Sequence, residues 1–80
     1  MAKNQAYLNA FGRNLKQIID SKKITPEDVA AHGKIETKQV YRAINGEHST
    51  GLSIVYSLAK GIGIHPKVLF DFEFEEKPKK

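Results

Sequence analysis

Thr25-Pro26-Glu27-Asp28-Val29-Ala30-Ala31-His32-Gly33-Lys34-Ile35-Glu36-Thr37-Lys38-Gln39-Val40-Tyr41-Arg42-Ala43-Ile44-Asn45-Gly46 reads as two short helices around a sharp turn. The first opens with Thr25 as N-cap, Pro26 at the first helical position, and Glu27 and Asp28 at the positive end of the helix dipole. Val29 and Ala30 should face the core, and Ala31 and Gly33 are small enough to admit a neighbouring helix. Ile35 anchors the turn. In the second helix, Thr37 to Asn45, the helical period puts Val40, Ala43 and Ile44 inward and Thr37, Lys38, Tyr41, Arg42 and Asn45 outward. Gly46 stands in the C-terminal glycine position. A short helix with this polar stripe fits the DNA major groove.

The stretch resembles the helix-turn-helix of the Cro and phage-repressor (lambda repressor-like) family, and the resemblance runs from about Phe11 to Phe70. A basic amphipathic helix precedes the motif in that family and matches Arg13-Asn14-Leu15-Lys16-Gln17-Ile18. Two shorter helices follow it and match Leu52 to Ala59 and Gly63 to Phe70. The Asn45-Gly46 loop and the closing Leu69-Phe70 fall in order. The chain also departs from the pattern. The turn glycine usually stands one position later, where this chain has Lys34. Glu36 occupies a cap position most often filled by Ser or Thr. Pro26 replaces a Gln that can touch phosphate, and Ile19 and Ile44 stand where the family often carries an ion pair. The resemblance therefore implies an apolar contact between those helices.

Outward from the motif, Leu8, Phe11, Leu15, Ile18 and Ile19 recur at helical spacing and predict a first helix from about Ala6 to Ser21. A fourth helix is expected over about Leu52 to Lys60, with Gly61 and Gly63 as breakers. A short fifth helix should run from Pro66 to Phe70, capped by His65. After Phe70 the period changes: Phe70, Phe72 and Phe74 alternate with acidic residues, as in a strand. The expected architecture is all-α, a five-helix lambda repressor-like bundle over residues 1–70. Residues 71–80 should form an extended C-terminal arm, and its Glu-Glu-Lys-Pro-Lys-Lys ending is expected to be disordered.

Eighty residues suit one small domain that gains from dimerisation. With no cysteine, disulfides, thiolate metal sites and cysteine catalysis are excluded together. No apolar run approaches the roughly 20 residues that span a bilayer, and the Met-Ala-Lys-Asn start has no signal-peptide character. A cytoplasmic protein with no membrane partner is expected. The net charge of +4 is uneven, since residues 1–70 hold ten Lys or Arg against five Asp or Glu and residues 71–80 hold three against four. The basic excess belongs to the folded part and favours a polyanion partner.

The candidate base readers are Thr37, Lys38 and Arg42. Lys38 and Arg42 lie one helical turn apart, and arginine pairs with guanine O6 and N7. The plain alternative is a solvated helix face, and for Thr37 a simple cap. Thr25, Gln39, Tyr41, Asn45 and His48 are candidates for backbone or flanking contacts, by resemblance for Thr25, Asn45 and His48. Glu36 would repel phosphate unless it accepts from a cytosine amino group. His32, His48 and His65 have no metal-ligand spacing. Gly61-Ile62-Gly63 lacks the preceding strand of a nucleotide loop. Neither an enzyme nor a cofactor is expected.

The resulting reading is a sequence-specific regulator of transcription, a repressor, bound to double-stranded DNA as a homodimer. Two recognition helices about 34 Å apart read enough base pairs to compete with the genome, whereas one does not. Val68, Leu69, Phe72 and Phe74 are the candidate dimer contacts. Two alternatives stand beside it. One is an antitoxin that represses its own operon and caps a basic toxin protein with the acidic segment 71–76. The other is a protein-interaction module without DNA binding.

Overall fold

The computed structural model describes residues 4–47 and 50–74. Helix α1 (Gln5–Ser21) starts where Asn4 turns its side chain back to accept from the Tyr7 amide at 2.9 Å. Phe11, Leu15 and Ile19, spaced four apart, form its buried stripe. Helix α2 (Pro26–Gly33) carries the expected start in full. Thr25 Oγ1 accepts from the Asp28 amide and the Asp28 carboxylate accepts from the Thr25 amide, each at 3.1 Å. Its end falls on Lys34 in the left-handed region, φ 61°. Helix α3 (Thr37–Asn45) keeps its expected bounds and stops on Gly46, φ 65°.

Several expectations are corrected beyond the motif. Helix α4 (Leu52–Ile62) continues past Lys60 and through Gly61, stopping only at Gly63, φ 90°. Gly61 is there for room: a Cβ on it would collide with the carbonyl oxygen of Val29, just as one on Gly33 would collide with that of Ser57. The two glycines let α2 and α4 cross nearly backbone to backbone. Ala31, credited with the same role, is exposed.

The fifth helix is a 3-10 helix, Pro66–Phe70, so the described residues hold four α-helices and one 3-10 turn. Pro66 removes an amide, and the short segment closes with i to i+3 bonds, Val68 N–H to His65 O and Asp71 N–H to Val68 O. His65 does cap it, accepting from the Lys67 amide at 3.0 Å. No strand forms among the described residues after it. With no neighbouring strand to pair with, the alternating aromatics fold back instead. The rings of Phe72 and Phe74 lie 5.4 and 5.0 Å from that of Tyr7 in α1.

The core gathers Phe11, Leu15, Ile19, Val29, Val40, Val55, Leu58, Ile62 and Leu69, with no buried polar or charged residue among those described. Ile44 packs against it half-buried. Asn14 fastens the 3-10 helix to α1 by donating to the carbonyls of Val68 (3.2 Å) and Leu69 (2.9 Å). Leu69 is fully buried, which removes it as a dimer contact. Its side chain fills its own core and has no surface to offer.

Candidate nucleic-acid interface

Position on α3 follows from its inward anchors. Val40 and Ala43 are buried and Ile44 half-buried, so the opposite arc projects Lys38, Tyr41, Arg42 and Asn45 outward. Lys38, Arg42 and Asn45 follow one another along this arc. Thr37 and Gln39 are half-buried at its two edges. Thr37 is the first helical residue; Glu36 holds the cap position and makes no side-chain cap bond. The reading of Thr37 as the cap is therefore corrected. His48 lies outside the described residues.

Height and tilt of α3 are set by contacts that the sequence did not announce. Gly12 of α1 faces the last turn of α3, where a Cβ would collide with the Ile44 carbonyl oxygen and lie 2.8 Å from that of Ala43. Gln5 donates to the Gly46 carbonyl at 2.7 Å and to Asn9 at 2.9 Å, fixing the C-terminal end of the helix against the start of α1. A lone glycine or glutamine in a helix carries no signal of its distant partner. From the other side, Tyr41 Oη donates to Glu27 of α2 at 2.9 Å and ties the two motif helices together. That bond holds the Tyr41 hydroxyl above its ordinary pKa of 10.0, with loss of hydration and the Glu27 charge adding in the same direction.

The face is electrostatically mixed. Lys38 stands 3.6 Å from Glu36, with both side chains mostly exposed. Tyr41 binds Glu27, and Asn45 donates to Glu47 at 3.4 Å. Three of the four outward residues thus each hold a carboxylate. The Arg42 side chain makes no hydrogen bond or ion pair with any described residue, so its guanidinium projects from the middle of the arc with all its donors open. Exposed pairs of this kind are worth about 0–1 kcal/mol. A competing polyanion can exchange them readily. Thr25 is exposed beside Pro26 with its hydroxyl engaged in the capping box.

The rest of the surface offers little chemistry. Among the described residues no group of His, Asp and Glu could hold a metal ion, and no helix is long and apolar enough to cross a membrane.

The chain is similar in structure to the restriction-modification controller protein C.AhdI from Aeromonas hydrophila. The TM-score is 0.76 at 26% sequence identity, over 81% of this chain and 98% of that one. The likeness supports a helix-turn-helix, repressor-like fold. No protein-family model matches the chain, and no curated protein matches it.

Proposed function

We propose that this protein is a DNA-binding regulator of transcription that lays α3 in the major groove. The observation that carries the reading is Arg42, an unpaired guanidinium at the centre of an outward arc on a short helix braced from both sides. A planar fork of donors so placed suits the O6 and N7 pair of guanine, a contact worth about 1–3 kcal/mol of discrimination. Lys38 joins it by leaving Glu36, and Thr37 offers a hydroxyl and a methyl at the edge. Thr25, Gln39, Tyr41 and Asn45, with His48 by resemblance, serve the backbone and so fix register. The likeness to a restriction-modification controller supports control of gene expression as the task. The protein acts in the cytoplasm, as a repressor and a homodimer, and needs no cofactor. Capping a toxin would fall to the acidic segment 71–76, of which Asp71 and Glu73 are described and exposed.

The test is selection of bound duplexes from fragmented genomic DNA, comparing wild type with the Lys38→Ala, Arg42→Ala double variant at two salt concentrations. An enriched palindrome that vanishes in the variant supports the reading. Equal, weak and salt-insensitive binding by both proteins defeats it and turns α3 into scaffold.

A further inference from the structure

The first turn of α1 has no core residue of its own. Asn4, Gln5 and Ala6 are exposed, Tyr7 is half-buried, and the buried stripe begins only at Ala10 and Phe11. A helix end with nothing beneath it frays, because its first amides lack partners within the helix. Asn4 receives the Tyr7 amide on its side chain and the Leu8 amide on its carbonyl, which caps the turn without fastening it to the bundle. Yet this turn carries Gln5, whose 2.7 Å bond to the carbonyl of the buried Gly46 reaches the end of α3.

What fastens the turn arrives from the other end of the chain. An inverse γ-turn at Asp71, φ -87° and ψ 75°, follows the 3-10 helix and is closed by the Phe72 amide donating to the Phe70 carbonyl at 3.0 Å. The reversal sends the segment back along α1. Phe72 and Glu73 border a cleft with Ala10 and Arg13. The Phe72 ring meets that of Tyr7 tilted, at 43° and 5.4 Å, and Phe74 meets it edge to face, at 85° and 5.0 Å. Both separations lie where aromatic pairs attract.

We propose that Phe72 and Phe74 are positioning residues for DNA binding: by clamping Tyr7 they hold the first turn of α1 where Gln5 can pin the end of α3. That role rests on the DNA reading above and goes beyond it, since it puts the segment after the 3-10 helix in the path that aims Arg42. The path is short. It runs from two rings to Tyr7, through one helical turn to Gln5, and across a hydrogen bond to Gly46. Gly46 closes the last turn of α3, where its amide donates to the Ala43 carbonyl at 3.3 Å and the Glu47 amide donates to that of Arg42 at 3.0 Å. Gly12 braces the same turn from further along α1. Loss of the clamp therefore loosens the end of α3 without unfolding it.

Hydrogen exchange of the full chain, read amide by amide by NMR, tests this together with anisotropy on a duplex recovered by the selection above, both below every variant's transition. The Phe72→Ala, Phe74→Ala variant should speed exchange at the Gly46 and Glu47 amides and weaken binding, each by about two- to tenfold, the factor one ordinary hydrogen bond carries. Gln5→Ala should do the same. Combining all three changes should add nothing further, because the rings act through Gln5. Phe72→Tyr, Phe74→Tyr keeps the rings and should match wild type.

A double alanine variant that melts lower yet exchanges like wild type at Gly46 and Glu47 reduces the rings to packing and overturns the proposal. So do ring and Gln5 effects that multiply. A loss of affinity matched by a fall in sedimenting mass overturns it too, and returns the rings to the subunit contact expected from the sequence. The two readings fail separately. If wild type recovers no duplex, the DNA reading falls while coupled exchange still upholds the clamp on α3; wild-type affinity in the double alanine variant fells the clamp and leaves the DNA reading standing.

Discussion

Replacing Gly12 with alanine puts a methyl group where α1 crosses the last turn of α3. Helix propensity alone favours the change by about 0.8–1.0 kcal/mol. The methyl, however, meets backbone: it collides with the Ile44 carbonyl oxygen and stands 2.8 Å from both the Ala43 carbonyl oxygen and the Ile44 carbonyl carbon. No side chain can rotate aside, so α3 itself has to shift by about an ångström to bring the Ile44 carbonyl oxygen back to contact distance. Overpacking of a close-packed site costs about 1–3 kcal/mol, and a backbone clash belongs at the upper end. The net effect should be a loss of about 1–2 kcal/mol. In a domain of this size 1 kcal/mol is about 4–8 °C, so the melting temperature should fall by about 4–16 °C. Far-UV circular dichroism on heating measures this. Gly51→Ser is the control: nothing lies within 4 Å of a Cβ there, and the N-cap exchange should stay within about 0.5 kcal/mol. DNA affinity measured below the transition should fall as well, because the displaced element is the helix proposed to enter the major groove. A Gly12→Ala protein as stable as wild type, or more so, would refute the crossing described here.

Three further outcomes follow from the contacts. Asn14→Leu removes both bonds to the end of the 3-10 helix; the Val68 carbonyl keeps the Asp71 amide but the Leu69 carbonyl loses its side-chain donor, so the urea midpoint should drop by the equivalent of about 1–3 kcal/mol; an unchanged midpoint would mean the tie is idle. Glu36→Gln takes away the carboxylate beside Lys38, and fluorescence anisotropy should show tighter duplex binding at low salt, with the gain shrinking as salt rises. Equal affinity would place Glu36 outside the reach of DNA. The third concerns pH: since the folded pKa of Tyr41 lies above its unfolded value, the protonated hydroxyl favours the folded state. Its contribution is complete below pH 10 and is lost as pH rises through the raised value. Urea midpoints of wild type and Tyr41→Phe should therefore differ at neutral pH and converge at high pH, and a gap that widens with pH would contradict the bond to Glu27.

The motif helices were legible because their ends are written locally. Thr25-Pro26 with Asp28 three residues on from the cap, and Asn45-Gly46, each fix a boundary through neighbours in sequence. What the sequence concealed depends on partners far along the chain. Gly61 looks like a helix breaker until Val29 is found against it, and Gly12 and Gln5 gain meaning only from the end of α3. Phe72 and Phe74 alternate like a strand, yet alternation supplies no pairing partner, and Tyr7 captures them. Likewise the outward arc of α3 was readable from its period. The carboxylates of Glu27 and Glu47 that occupy Tyr41 and Asn45 were not, since a helical repeat says which residues point outward and nothing about what meets them there.

Lys34 ends α2 in the left-handed region, where a side chain costs about 1–2 kcal/mol relative to glycine. Lys23 does the same after α1. In return each places a cation at the negative end of a helix, which recovers about 0.3–1 kcal/mol, and each adds to the field that draws a polyanion in from solution. A Lys34→Gly chain should accordingly be the hardier protein in buffer and the slower one to find its duplex, with the lag greatest in dilute salt. The turn that joins the two motif helices is thus set for speed of encounter rather than for endurance.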